Sequence, residues 1–334
     1  MLKNIEDINL VVMGGGTGSF TLLQSMKELT PNITAIVNMS DDGGSTGVLR
    51  DELGVLPPGD VRQCLVALSD VSEVRDLFNY RFSDGSFYGH SLGNIVLSGL
   101  ELQKGSFDQA VKVASRILHI TGKVVPASLD KHTLVLEDGL EIIKGEYTIG
   151  NRSFNNSSAK ISLEPNAEIN PEAKESINDA DLIIIAPGNL FGSIIPIFAV
   201  NGIKQALNKS KAKIVSVMNL VNKPGQTDNW HVVDYVKELE KYIGKDEIDY
   251  VLYNNHSIKL ELLEKYAVEG EFPVSCNDSR FREIHAEAIG ANLVAQEIIK
   301  QDPNDRIIRR TLIRHNSIAV NQQLVNIINN SSTV

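Results

Sequence analysis

The chain has 334 residues, of which 42% are hydrophobic and 22% are charged, so it has the composition of a folded protein with one large α/β domain or two smaller ones. Its formal net charge is −10. Nucleic acid and anionic membrane surfaces require a dense basic face on their partner, and this charge argues against both.

The two cysteines, Cys64 and Cys276, lie far apart in sequence and have no ligand-like spacing, which argues against a disulfide framework or a zinc site. The first residues lack the charged, apolar and small pattern of a signal peptide. No segment approaches the roughly 18 consecutive apolar residues of a membrane span. We therefore expect a cytoplasmic protein.

Apolar runs of strand length alternate with segments of helical spacing along most of the chain. This alternation predicts a doubly wound α/β domain with a mostly parallel sheet covered on both faces, and we expect one such domain over residues 1–330. The strands are expected at residues 10–12, 34–37, 182–185, 213–217 and 250–252. The helices are expected at residues 20–29, 61–68, 92–102, 107–118, 203–207, 232–242 and 258–266.

The middle of the chain has a different pattern. Two strand-like stretches surround Asp138 and Gly139, the favoured dipeptide of a two-residue hairpin turn. We expect an antiparallel β-hairpin insertion at about residues 123–170, since its apolar content is too small for an independent core. The tail at residues 329–334 is expected to fray.

The glycine-rich stretch at residues 13–20, MGGGTGSF, follows the first predicted strand and precedes the first predicted helix. This arrangement directs backbone N–H groups and the positive end of a helix toward an anion, so a phosphate is the expected ligand. A tight structural turn is the alternative. The dinucleotide fingerprint is incomplete because Ser19 occupies its third glycine position, and we expect no NAD. The candidate ligand-binding residues are Gly15, Gly16, Thr17 and Gly18.

A second candidate group, Asp41, Asp42, Gly43 and Ser45, follows the second predicted strand. Carboxylates beside a phosphate repel it unless a cation lies between them. Magnesium held through water is therefore one interpretation, a ribose hydrogen bond is another, and a solvated turn is the third. Asp60 is either a further acid at the cleft or the N-cap of the next helix.

Residues 89–93, GHSLG, match the nucleophile pattern of serine hydrolases, with Ser91 as the nucleophile. The preceding residues are polar and turn-like, whereas a hydrolase elbow follows a buried strand. We interpret Ser91 as a helix N-cap, with Asn94 as a candidate ligand contact. His90 is either a general base or a packed structural histidine.

The strand at residues 182–185 is followed by a second glycine turn, which repeats the design of the first. The strand at residues 213–217 is followed by a polar loop at residues 219–228, where base or sugar recognition is one interpretation and an ordinary polar loop is the other. A diphosphate ester such as a sugar nucleotide could span the first and second glycine turns at the switch point of the sheet. The additional candidate ligand-binding residues are Pro187, Gly188, Asn189, Ser193, Asn219, Thr227 and Asp228.

Taken together, the GGGTG turn, the block from Asn38 to Ser69, the GHSLGN stretch, the PGN strand end and the LIRHN stretch resemble the YvcK branch of the CofD-like family, whose members are labelled gluconeogenesis factors. The resemblance covers nearly the whole chain. It implies a Rossmann-like three-layer α/β/α fold and a cytoplasmic location. The chain departs from the family's usual pattern, GPGSLYTS, at residues 186–193, APGNLFGS, and loses some of the hydroxyls that could bind a sugar or phosphate there.

For this branch the resemblance implies binding of UDP-sugars such as UDP-N-acetylglucosamine, with a role in cell shape and cell-wall synthesis during growth on gluconeogenic carbon sources. The related CofD branch contains 2-phospho-lactate transferases that use Mg²⁺ and a deazaflavin acceptor. On that alternative, Asp42 and Asp60 would hold Mg²⁺. Arg314 matches the family's RHN motif and becomes a candidate ligand contact.

Two hypotheses therefore stand at this point, a UDP-sugar-binding regulator without turnover and a transferase of the CofD type. An NAD-dependent oxidoreductase and a serine hydrolase are less favoured. The expected partners are a UDP-sugar or similar diphosphate, cell-wall synthesis proteins and further copies of the chain in a homo-oligomer.

Overall fold

The computed structural model describes residues 4–155, 158–295 and 312–331. Its strands are β1 (Leu10–Gly14), β2 (Ile33–Val37), β3 (Lys123–Pro126), β4 (Thr133–Asp138), β5 (Glu141–Lys144), β6 (Lys160–Glu164), β7 (Leu182–Ile185), β8 (Lys213–Val217), β9 (Tyr250–Asn254) and β10 (Glu287–Ala291).

The helices are α1 (Gly16–Met26), α2 (Gly44–Leu53), α3 (Gly59–Leu68), α4 (Ser72–Asn79), α5 (Leu92–Lys104), α6 (Phe107–Ile117), α7 (Glu146–Gly150), α8 (Pro171–Asn178), α9 (Ile195–Phe198), α10 (Ile203–Leu207), α11 (Val232–Ile243), α12 (Leu260–Ala267) and α13 (Ser317–Ser331). Short 3₁₀ turns occupy Ile5–Asp7, Gly85–Phe87 and Asp278–Glu283, and a π-helical turn occupies Leu190–Ile194.

Seven strands form a parallel sheet in the order β10-β9-β8-β7-β1-β2-β3. Successive residues of β1 alternate between two hydrophobic cores: Leu10 and Val12 belong to one, and Val11 and Met13 to the other. This alternation follows from the two-residue period of a strand. Both faces of the sheet are therefore covered, and the predicted α/β architecture with a mostly parallel sheet is confirmed.

The antiparallel insertion is a three-stranded sheet in the order β5-β4-β6. Its β4–β5 hairpin turns at Gly139 and Leu140, one residue later than predicted, because Asp138 still pairs with Glu141 as the last residue of β4. The residues from Lys123 to Pro126, which were assigned to the insertion, instead pair with β2 at the edge of the main sheet. The insertion therefore begins after β3, and it contains one strand more than a hairpin.

Strand β1 lies between β2 and β7, and the chain proceeds away from it in both directions. Such a topological switch point leaves a crevice outside the carboxyl ends of the strands, where ligands bind in open α/β sheets. The last helix extends to Ser331, so the first residues of the predicted frayed tail are helical, and residues 332–334 lie outside the described part. No helix in the described ranges is long and apolar enough to cross a membrane.

Candidate functional site

The turns after β1 and β7 touch each other at the switch point. A Cβ atom built on Gly18 would lie 1.9 Å from the carbonyl oxygen of Pro187, and one built on Gly15 would lie 2.2 Å from Oδ2 of Asp60. Two of the four candidate residues in the first turn therefore lack side chains because protein atoms occupy the space. The turn is close-packed, and only part of it faces open space.

Gly16 is the exception within this turn. Its φ is +65°, a conformation that favours glycine, and the nearest atom to a Cβ built there is Oδ1 of Asp60 at 3.9 Å. Its N–H donates to that same oxygen at 3.0 Å. Helix α1 begins here after Gly15, which has no side chain to cap it, so the N–H groups of Thr17 and Gly18 fall in the turn where the helix supplies no acceptor.

Asp60 and Asp41 form the acidic side of the crevice. Burial raises the pKa of Asp60 well above its usual range, and the nearby charges of Asp41 and Glu146 raise it further. Burial also raises the pKa of Asp41, against hydrogen bonds from Gly43 and Thr46 that lower it. The alternative of Asp60 as the N-cap of α3 is wrong: the N-cap is Pro58, and Asp60 lies in the first turn of α3 with its side chain bonded across to the start of α1.

Asp42 joins the main domain to the insertion. Its Oδ2 accepts from the backbone N–H of Glu146 at 3.1 Å, and its Oδ1 accepts from the N–H of Tyr147 at 2.7 Å. These are the first residues of α7, where free N–H groups and the helix dipole favour a carboxylate. Arg50 lies 3.9 Å from the same carboxylate. Asp42 thus fixes α7 against the loop after β2.

Glu146 is a site residue that sequence reasoning missed. Burial raises its pKa to about 7, the charges of Asp41 and Asp42 add to this shift, and Lys223 opposes it. It lies against the turn after β7 as well, since a Cβ built on Gly192 would be 2.4 Å from its Oε1. The only local signal was an acidic residue after a glycine at the end of a predicted hairpin, which is typical of many surface turns.

The carboxylates were tested for a fit to Mg²⁺. Both oxygens of Asp42 already accept backbone N–H groups, and one oxygen of Asp60 accepts from Gly16. Within residues 4–155, 158–295 and 312–331, no three His, Cys, Asp or Glu side chains are grouped so that they could hold a metal ion. Asp42 and Asp60 therefore do not fit as a directly coordinating pair, and we assign no chemical step to a metal.

Ser45 and Asn94 lie in one hydrogen-bonded network on the β2 side of the crevice. Ser45 Oγ is 3.0 Å from His90 Nδ1, and Asn94 donates to Ser45 Oγ at 3.3 Å. The buried Arg62 donates to Oδ1 of Asn94 at 3.0 Å. His90 is thus a hydrogen-bonded partner of the loop that contains Ser45.

Ser91 is the N-cap of α5, as predicted. Its side chain is buried and accepts the N–H of Asn94 at 3.2 Å. The residues before it form a 3₁₀ turn and bends, with no buried strand. The geometry of a serine-hydrolase elbow is absent at this position.

Cys64, in α3, is also buried, and burial raises the pKa of its thiol. Its side chain is therefore part of the packed core.

The turn after β7 is held by Asn219, which follows β8. Gly188 donates its N–H to Asn219 Oδ1 at 3.0 Å, and Asn219 Nδ2 donates to the Gly188 carbonyl at 2.8 Å. Asn189 caps the π-helical turn through the N–H of Gly192, and Ser193 donates its N–H to the Asn189 carbonyl. These candidate residues therefore lie together at the crevice, and the asparagine side chains serve to shape the turn.

Thr227 and Asp228 have different environments. Thr227 is buried, and its Oγ1 accepts from the Lys223 N–H at 2.8 Å and from the Tyr235 hydroxyl at 3.1 Å. Asp228 is exposed. Thr227 is thus a structural residue of this loop.

Arg314 lies in the segment before α13 that returns to the carboxyl edge of the sheet. Its carbonyl accepts from Ala295, and the neighbouring His315 bonds through Nε2 to the carbonyl of Met218, the residue that follows β8. This contact places Arg314 near the strand end that supplies Asn219. Three arginines that precede it in sequence, Arg306, Arg309 and Arg310, lie outside the described residues.

Comparison with known proteins gives a consistent set of relatives. The family model described as 2-phospho-L-lactate transferase CofD matches residues 10–294. A Thermotoga maritima protein described as "Putative gluconeogenesis factor" is 43% identical over 317 residues, which cover 93% of this chain and 96% of that protein. The gluconeogenesis factor of Bacillus subtilis is 38% identical over 300 residues, which cover 88% of this chain and 94% of that protein.

A solved structure from Bacillus halodurans, described as a member of the UPF0052 family, has the same fold. It superimposes with a TM-score of 0.87 at 34% sequence identity, covering 95% of this chain and 99% of the solved one.

Proposed function

Because the chain belongs to the CofD family and is similar to relatives named gluconeogenesis factors, we propose that it binds a UDP-sugar of the UDP-N-acetylglucosamine type at the switch point of its sheet. On this proposal it acts in the cytoplasm as a regulator, without turnover. It would support cell shape and cell-wall synthesis during growth on gluconeogenic carbon sources, through cell-wall synthesis proteins as partners.

One observation carries the proposal: the start of α1 is the open part of a turn that otherwise packs tightly on Pro187 and Asp60, and its N-cap residue Gly15 has no side chain, so only the N–H of Gly16 is bonded, to Asp60. First-turn N–H groups and the helix dipole attract a phosphate. The turn after β7 lies directly beside it, so a diphosphate at α1 would contact both strand ends.

The acidic neighbours impose a condition on this proposal. An ionised Asp60 beside a diphosphate would repel it, whereas a protonated Asp60 can donate a hydrogen bond to a phosphate oxygen. The raised pKa of Asp60 favours the protonated form. We therefore propose that the ligand binds with Asp60 in its protonated form, and that binding weakens in alkaline solution.

The test is a thermal-shift titration with UDP-N-acetylglucosamine, other UDP-sugars, GDP and NAD, each with and without Mg²⁺. A ligand at 100 times its Kd stabilises the folded state by about 2.7 kcal/mol, which a melting curve resolves. We expect a shift with UDP-sugars. A shift with NAD alone, or no shift with any UDP-sugar, would contradict the proposal.

Two glycine variants make the test specific to the crevice. Gly16 and Gly54 have nearly equal φ angles of +65° and +66°, so alanine costs a similar backbone strain at both. Only Gly16→Ala places a methyl group at the start of α1. We expect Gly16→Ala to abolish the UDP-sugar shift and Gly54→Ala, at the C-terminus of α2, to retain it. A strain that lacks the protein can be complemented with each variant and grown on a gluconeogenic carbon source. Only Gly54→Ala should restore its growth and cell shape.

A transferase of the CofD type is the second candidate, and Glu146 favours it. Its pKa of about 7 is close to the operating pH, as a general base requires. The test incubates the protein with a nucleotide-activated phospholactate and a deazaflavin acceptor and follows the product by mass spectrometry. If the wild-type protein forms the product and Glu146→Gln does not, the protein is a transferase, and the hypothesis of a regulator without turnover is wrong.

A further inference from the structure

The segment at residues 145–154, which we call the strap, crosses the crevice from one side to the other. Near its start, Tyr147 donates its N–H to Asp42 in the loop after β2. At its end, Phe154 donates its N–H to the carbonyl of Gly225 in the loop after β8, at 3.0 Å. The main sheet has the strand order β8-β7-β1-β2 in this region. A segment joined to the ends of both β2 and β8 therefore passes across the end of β1, where the glycine-rich turn begins.

The strap also contacts the turn after β7, which lies between these two attachments. A Cβ built on Gly192 would lie 2.4 Å from Oε1 of Glu146. The ring of Phe154 packs edge-on against the ring of Phe191, with the ring centres 5.0 Å apart. The loops after β2, β7 and β8 thus all touch the strap, so the strap closes the crevice on the side of the insertion.

Helix α7, within the strap, depends on side chains of the main domain at both of its ends. Asp42 accepts the first two N–H groups of the helix. The buried Gln226 donates through Nε2 to the carbonyl of Ile149 at 2.8 Å, in the last turn, and to the carbonyl of Arg152 at 3.1 Å. With five residues, α7 is too short to be a stable helix by itself. It is therefore stable only while it is held between the loops after β2 and β8.

Few apolar contacts hold the strap closed. Of the five residues of α7, all of which the structure describes, Ile149 alone is buried. The next residues, 151–153, are exposed. Glycines lie at both ends of the helix, since Gly145, with a φ of +94°, precedes it and Gly150 is its last residue. A segment with few buried side chains and a glycine at each end is suited to local opening while the rest of the domain stays folded.

We propose that the strap is a lid, which opens and closes as one unit and lets the ligand enter and leave the switch point when it is open. The inference rests on the proposed function for the ligand that passes the lid. It makes Asp42 and Gln226 positioning residues, which hold the two ends of α7 from opposite sides of the crevice. Because both ends belong to one short helix, loss of either attachment should release the other.

An engineered disulfide can lock the lid reversibly. A Cβ built on Gly43 would lie 4.0 Å from the Cβ of Tyr147, and disulfides join Cβ atoms about 3.5–4.5 Å apart. The φ of Gly43 is −88°, which residues with a side chain also adopt. The lock variant combines Gly43→Cys and Tyr147→Cys with Cys276→Ser, which removes the partly exposed native thiol, while Cys64 is buried. The controls are the same variant after reduction and oxidised Gly43→Cys with Cys276→Ser.

Hydrogen exchange in the ligand-free protein tests whether the strap moves as one unit. We expect oxidation of the lock variant to slow exchange at the Phe154 amide at least tenfold, although the disulfide lies at the other end of the strap. Gln226→Met removes the donor at a similar side-chain length and should accelerate exchange at the Tyr147 amide, across the crevice, at least fivefold. Gln103→Met, at an exposed glutamine of α5, is the matched control and should change neither amide. If each variant affects only the amides beside it, the strap is not one unit and the lid is wrong.

Binding kinetics with UDP-N-acetylglucosamine test whether the lid controls access. We expect the oxidised lock variant to bind and release this ligand at least tenfold more slowly than its reduced form, and Gln226→Met to do both at least fivefold faster than the wild type. A lid changes both rates in the same direction, whereas a lost ligand contact raises chiefly the dissociation rate.

Failure of the lid and failure of the proposed function give different results. If the wild type binds UDP-N-acetylglucosamine and neither oxidation of the lock variant nor Gln226→Met changes the two rates, the lid is wrong and the proposed function stands. If no UDP-sugar binds but the amides at both ends of the strap respond together, the proposed function fails and the moving strap stands. Absence of both responses overturns both.

Discussion

Gly18, in the first turn of α1, lies directly against the backbone carbonyl of Pro187, in the turn after β7. A Cβ atom at Gly18 would approach that oxygen to 1.9 Å. The glycine-rich turn is therefore shaped first by contact with a neighbouring strand end, and the space left for a ligand begins at Gly16. This relationship fixes the two sides of the crevice relative to each other.

We expect Gly18→Ala to lower the free energy of unfolding by about 1–3 kcal/mol, because a backbone carbonyl cannot move aside without shifting the turn. Urea unfolding measures the loss. The control is Gly99→Ala in α5, where no described atom would meet the new methyl group within 4 Å. That variant should gain about 0.5–1 kcal/mol from the better helix propensity of alanine. Equal stabilities of the two variants would contradict the close packing.

Asp42→Asn should loosen the insertion. The asparagine side chain has one acceptor oxygen, so one of the two bonds to Glu146 and Tyr147 is lost and an amide N–H₂ group faces a backbone donor. We expect a loss of about 1–2 kcal/mol, as for removal of a helix cap, and faster hydrogen exchange at these two amides. Asp51→Asn, at an exposed carboxylate on α2, should leave the exchange unchanged. Unchanged exchange in Asp42→Asn would argue against this anchoring role.

Glu146 should make the protein less stable as the pH rises toward neutrality. Burial raises its folded-state pKa to about 7 from an ordinary value of 4.5, so the folded state binds the extra proton between these values. Its contribution to stability is complete below about pH 4.5 and is lost as the pH rises through about 7. In Glu146→Gln the part of this decline that Glu146 contributes should be lost, so urea midpoints measured between pH 4 and 8 should fall less than those of the wild type. Glu137→Gln, at an exposed residue of the same insertion, should retain it.

His315 should have the opposite effect on stability, which it lowers as the solution becomes acidic, over a pH range that overlaps that of Glu146. Burial lowers its folded-state pKa to about 4 from an ordinary 6.5, against the bond to the Met218 carbonyl. Its contribution is complete above about pH 6.5 and is lost as the pH falls through about 4. His315→Gln retains a donor for the carbonyl and cannot be protonated, so its midpoints should fall less in acid than those of the wild type. The control is His256→Gln, at an exposed histidine. If the midpoints of His315→Gln fall in acid as steeply as those of this control, the lowered pKa assigned to His315 is contradicted.

Local hydrophobic periodicity was sufficient to predict the strands that contribute most of the core residues. The strands predicted at residues 10–12, 182–185 and 213–217 lie within or coincide with β1, β7 and β8, because continuous apolar runs mark strands buried on both faces. Strand β3 was missed as a member of the main sheet. It is four residues long, ends in a proline and lies at the sheet edge, where it needs little apolar character.

The clustering of the candidate residues was predicted in part, and their role in ligand binding stays a prediction. The residues after β1, β2 and β7 meet at one crevice, as strand order and the position of the turns required. Thr227 instead supports its own loop, and Asp42 anchors α7. Glu146 could not have been found from its neighbours in sequence, since it reaches the crevice only through the docking of the insertion.

By itself, the sequence determined the α/β class, the parallel sheet and the presence of a glycine-rich turn after the first strand, because hydrophobic period and glycine placement act over a few residues. Only the tertiary structure decided what each glycine approaches and which acids share one environment. Gly16 and Asp60, 44 residues apart, share a hydrogen bond, and Asp42 reaches Glu146 across 104 residues. Such contacts depend on strand order and on the docking of the insertion, and these are set by the burial of surfaces that are distant along the chain.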